Sequence, residues 1–148
     1  MRRRRLLAAL GGVASALVAA PASAQKGKPG SGVLTAPEYL ARAALLLDET
    51  RRAQDWVGGH PGDLGLAALA LDLATSRSEA AAQIAAPPAV KQAHMHLLLA
   101  LENTTACFDA LVRGEGKKAA QRLANARVEE QTLQSALDGA KLKMPVIK

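Results

Sequence analysis

The stretch AHMHLLLALENTTACFD, residues 93 to 109, carries His94, His96 and the chain's single cysteine, Cys107. Imidazoles and thiolates are the usual protein ligands of zinc, copper and haem iron, so spacing decides whether this segment can hold such a centre. Val90, His94, Leu97, Leu101, Thr104, Phe108 and Leu111 recur at intervals of 4, 3, 4, 3, 4 and 3, the signature of a helix seam. Each helical residue turns about 100°, so His94 and His96 diverge by roughly 200° and cannot grip one ion from one helix. His96 and Cys107 fall on nearly the same side, yet at 1.5 Å per residue they stand about 16 Å apart. His94, close to Leu97, Leu98 and Leu101, is expected as a core-edge histidine bonded to a neighbouring helix. It is also the one candidate in this segment for a metal or haem ligand. His96 is expected at the surface with Leu99, Ala100 and Asn103, and His60 in a loop as a turn or capping residue. Cys107 has no internal disulfide partner and reads as a small buried residue.

The other candidate is a carboxylate. Glu130 falls in the middle of the seam Ala119, Leu123, Ala126, Glu130, Leu133, Leu137, where an unpaired charge is costly to bury. If its helix runs back along the preceding one, position 130 comes level with residues 100 to 104. Thr104 is then the expected partner, with Thr50 and Gln54 as further acceptors or donors, forming a buried polar layer that fixes register. Glu130 lacks a second catalytic group, so no catalytic role is expected. An enzyme would require a residue constellation that the sequence lacks. It contains no C-x-x-C-H for covalent haem, no E-x-x-H pair for a di-iron bundle and no H-E-x-x-H for a zinc protease. A glycine-rich phosphate loop and a G-x-S-x-G elbow are missing too.

The elements that would position these residues are all helical. Thr35, Pro37 and Glu38 in TAPEYL form a capping box with proline in the first turn, opening a helix expected over 36–57 with the seam Leu40, Ala43, Leu47, Thr50 and Gln54. GGHPGD, residues 58 to 63, breaks it. The second helix, 63–85, carries Leu66, Leu69, Leu73, Ala80 and Ile84 on one side, taken as its core face. Its back, Leu64, Ala68, Leu71, Thr75, Ser78 and Ala82, is uncharged and is a candidate contact surface. The prolines of APP, residues 86 to 88, separate it from a third helix at 88–113, and RGEG separates that from a fourth at 117–138. Long helices with 4, 3 seams and short links predict an all-α, antiparallel up-down-up-down four-helix bundle over 35–139, followed by a basic tail at 140–148. Trp56, beside Arg52 and the loop, is expected either to lid one end of the bundle or to anchor a partner, as are Leu64 and Leu71.

The N-terminal residues carry an address. MRRRRLLAALGGVASALVAAPASA, residues 1 to 24, combines an arginine n-region, an uncharged apolar stretch and an A-x-A site, predicting a signal peptide cut between Ala24 and Gln25. The apolar run is shorter than a membrane span of roughly 20 residues, so no stable membrane anchor is expected once the signal is cleaved. QKGKPGSGVL, residues 25 to 34, is a flexible linker by composition. Arg2 to Arg5 account for four of nineteen Lys and Arg residues; the remaining fifteen meet thirteen acids, a net charge of +2. Residues 35–139 hold ten bases against the thirteen acids, and the chain has one Trp, one Tyr and one Phe, which argues against nucleic acid as a partner. The sequence thus predicts an exported protein, periplasmic or extracellular, that works without a cofactor. It would bind an unidentified protein partner or a second copy of itself. The alternative is a metal, haem or small-ligand carrier using the bundle interior near His94.

Overall fold

A computed structural model describes residues 34–147; the expected signal segment and all but the last residue of the linker lie outside the described residues. Four helices pack closely, and no strand occurs among the described residues. Helix α1 spans Ala36–Gly59, α2 Leu64–Ala82, α3 Lys91–Val112 and α4 Gly116–Gly139, with a single 3-10 turn, Pro88–Val90, leading into α3. Among the described residues no helix is long and apolar enough to cross a membrane.

Capping chemistry explains the boundaries. The Thr35 backbone N–H donates to Glu38 Oε2 at 2.9 Å while the Thr35 hydroxyl accepts from the Glu38 N–H, so the expected box closes. Those bonds hold the Glu38 carboxyl below the usual range, the Thr35 backbone N–H contributing most. Asp63 caps α2 by accepting the Leu66 N–H at 2.9 Å. The helix ends at Ala82, three residues before the expected stop, and Ile84 N–H turns back to Ala81 C=O because the chain must be extended by Pro87. At the end of α3, Glu115 N–H reaches Ala110 C=O and Gly114 N–H reaches Leu111 C=O, with Gly114 at φ +74. That is a Schellman stop, for which glycine is the unstrained residue.

Helix α4 ends at Gly139, one residue beyond the expected 138. The left-handed position after it falls on Lys141, at φ 58. The same pair of reversed hydrogen bonds forms, Leu142 N–H to Leu137 C=O and Lys141 N–H to Asp138 C=O, both 2.9 Å. This turns the tail back, so that Leu142 and Met144 pack against the core.

Side-chain bonds record how the helices pair. His96 of α3 meets Glu129 of α4, and Asn103 of α3 meets Arg122 of α4. Tyr39 and Gln54 of α1 meet His94 and Thr104 of α3. Arg77 of α2 bonds Glu49 of α1, Ser78 of α2 bonds Thr105 of α3, and Arg51 of α1 bonds Glu130 of α4.

The core changes character along its length. One end holds large side chains: Tyr39, Leu40, Leu47, Leu97, Leu101, Leu133 and Leu137. The other is built from Val57, Phe108 and alanines 67, 70 and 74, with Cys107, Ala110 and Ala119 alongside. The expected seams of α1, α3 and α4 face inward, apart from their partly buried members Gln54, Leu111, Leu123 and Glu130. Helix α2 does not follow its leucines. Its buried face is Ala67, Ala70, Ala74 and Ala81, one residue out of step with Leu66, Leu69 and Leu73, a rotation of roughly 100°. Alanine permits close approach to α3, where Phe108 supplies the volume, so small against large fills the space that large against large would overfill.

Candidate functional site

His94 is buried on α3, with its Nδ1 3.2 Å from the Tyr39 hydroxyl and the two rings edge to face at 5.6 Å. Removal from water disfavours both charged forms: burial lowers the His94 imidazole from its ordinary value and pushes the Tyr39 phenol up to about 12. Among the described residues no group of three His, Cys, Asp or Glu side chains converges as a metal site would require. The bond to a neighbouring helix accounts for His94 without a ligand.

His96 differs from the surface residue expected. It is half-buried and its Nδ1 lies 2.7 Å from Glu129 Oε2, linking α3 to α4. Cys107 sits among Ala110 and Ala119, and burial raises its thiol above the ordinary value, which keeps it in the unreactive neutral form.

The expected Thr104 and Glu130 layer does not form as one unit. Thr104 is buried and accepts from Gln54 Nε2 at 2.9 Å while donating to Ala100 C=O. Glu130 instead lies at the edge of its seam, its side chain 11% exposed, 2.7 Å from Arg51 Nη2. The Arg51 side chain is 54% exposed. A long guanidinium reaching from the surface spares the carboxylate the cost of a dry neutral partner.

The proposed contact surface also shifts. Leu71 is partly buried against the Val57 and Phe108 cluster, Ser78 is engaged with Thr105 and Ala68 is partly buried, so the uncharged back of α2 is divided: only Leu64, Thr75 and Ala82 of it are exposed. Leu64 stays exposed but borders one end of the bundle. Of the stripe assigned to the core, Leu66 and Ile84 are partly buried, while Leu69 and Leu73 face solvent, 56% and 45% exposed. Together with Leu66 and with Ala53 and Trp56 of α1 they line a groove of about 310 Å³ bordered by Glu49, Arg52 and Arg77. Trp56 is 62% exposed and stacks on His60 at 5.0 Å, so it anchors no lid over the core. His60 caps α1 and its Nδ1 lies 2.8 Å from Trp56 C=O. In the same groove Arg77 holds Glu49 through Nε at 3.1 Å, while its buried Nη1 meets no acceptor among the described residues.

A second concavity opens where the α1–α2 and α3–α4 links meet. It measures about 440 Å³ and is lined chiefly by Val57, Leu64, Phe108, Leu111 and Leu123 with alanines and glycines. It exists because this end of the core is built from small residues. Composition could have signalled it, since Gly58, Gly114, Gly116, Ala119 and Ala120 cluster around the two links. Compared with protein-family models, curated proteins and solved structures, the chain matches none.

Proposed function

We propose that the chain is an exported helical bundle of up-down-up-down topology that acts by protein contact, without catalysis, and that its first partner is a second copy of itself. The observation that carries this is the stripe of exposed Leu69 and Leu73, continued by partly buried Leu66, beside exposed Trp56. Its 3, 4 spacing is that of a helix seam, so the surface that fits it is another helix. From Leu66 to Arg77 the groove extends about 16 Å at 1.5 Å per residue. Its border pairs Glu49 with Arg77 and Asp48 with Arg52, which leaves no net charge to repel an identical face. The side-chain pairings between helices support that topology, with numbering rising along α3 as it falls along α4, and the Arg2–Ala24 pattern supports export.

Light scattering on the purified mature chain tests the reading. A mass of two chains that falls to one with Leu69→Asp and Leu73→Asp, helicity unchanged, supports it. A wild-type monomer at concentrations up to the millimolar range overturns it. The same sample's intact mass reports cleavage after Ala24; a chain retained inside the cell with residues 1–24 attached would remove the export argument.

A further inference from the structure

We infer that the concavity at the linked end of the bundle is a binding site for one neutral, predominantly apolar small molecule. Its volume, about 440 Å³, falls within the roughly 300–1,000 Å³ typical of ligand pockets. The lining chemistry defines the class. It includes no lysine or arginine, so an anion finds no counter-charge. Its one carboxylate, Asp63, is committed to the cap of α2, and the His60 Nδ1 to the Trp56 carbonyl, so a cation gains little either. Val57, Phe108, Leu111 and Leu123 offer dispersion contacts to an uncharged hydrocarbon or aromatic body.

Glycines keep the mouth bare. Gly62 and Gly114, which line it, take positive φ, where glycine is the unstrained residue, and Gly58 and Gly116 add no side chain, a Cβ on either meeting nothing within 4 Å. This site lies apart from the α2 stripe and does not depend on self-association.

The test titrates the exported chain with N-phenyl-1-naphthylamine, an uncharged aromatic probe whose fluorescence rises in apolar surroundings. Saturable binding of one probe per chain is expected. Ala120→Trp, at an exposed position of α4 that lines the mouth, should weaken it at least tenfold with the melting temperature held. Gly58→Leu, on the opposite lip, should do the same, and either variant suffices if the other fails to fold. The Leu69→Asp, Leu73→Asp double variant should bind as wild type does. Absence of saturable binding by folded wild type overturns the inference. So does unchanged affinity in both lip variants, or loss only in the double variant, which would place the probe in the α2 groove.

Discussion

The rotation of α2 makes neighbouring residues behave in opposite ways. Ala74 is 3% exposed and packs in the cluster around Phe108; Ala74→Leu forces three additional carbons into that contact. Overpacking of this kind costs about 1–3 kcal/mol. For a unit of this size that lowers the melting temperature by roughly 4–15 °C. Leu73, one residue earlier, keeps nearly half its surface in water. Leu73→Ala therefore forfeits only part of the apolar burial, and alanine recovers a little helix propensity, so the net change stays within about 1 kcal/mol, whereas a core leucine would cost about 2–5 kcal/mol. Thermal melts followed by circular dichroism at low micromolar concentration, where self-association contributes least, compare the two directly. If Leu73→Ala melts 10 °C or more below wild type while Ala74→Leu melts with it, the leucine stripe is the buried one and the account of α2 fails.

Two further outcomes follow from local chemistry. Because burial lowers the His94 pKa, the folded state binds fewer protons than the unfolded chain once pH drops below the ordinary imidazole value of 6.5. The stability contribution is whole above that pH and is lost as pH falls through the lowered folded value. His94→Gln should flatten the fall in melting temperature between pH 7 and 4.5, and an identical slope in the variant would remove His94 from the explanation. Lys141→Gly relieves a non-glycine residue at φ 58 in the turn after α4 and should raise stability by about 1 kcal/mol in denaturant unfolding, whereas a decrease would show that the Lys141 side chain contributes more than its backbone strain costs.

Much of the helix framework is legible along the chain because its signals are local. Thr35 and Glu38 cap α1 through bonds within four residues, the Pro87 and Pro88 pair excludes continuation of α2, and Gly114 stops α3 by its own backbone freedom. The seams of α1 and α3 are equally plain, since Leu40, Leu47, Leu97, Leu101 and Phe108 at 4, 3 spacing are the residues that pack inward. The candidate site is less legible. Placing His94 in the core required only its position in a seam, but Tyr39 as its partner comes from a helix 55 residues away.

The sequence by itself therefore determined four helices, the cap of α1 and the stop of α3, and three of the four inward faces. Only tertiary packing decided which stripe α2 would bury, because hydrophobicity ranks leucine above alanine while a close-packed interface selects by volume, and Phe108 had already filled the space. The partners of Glu130 and Thr104 were decided in the same way: a long Arg51 at the rim could reach the acid, and Gln54 stood nearer the hydroxyl. The outward leucines and the half-filled end of the bundle are both consequences of that fit, and neither can be read from any one helix alone.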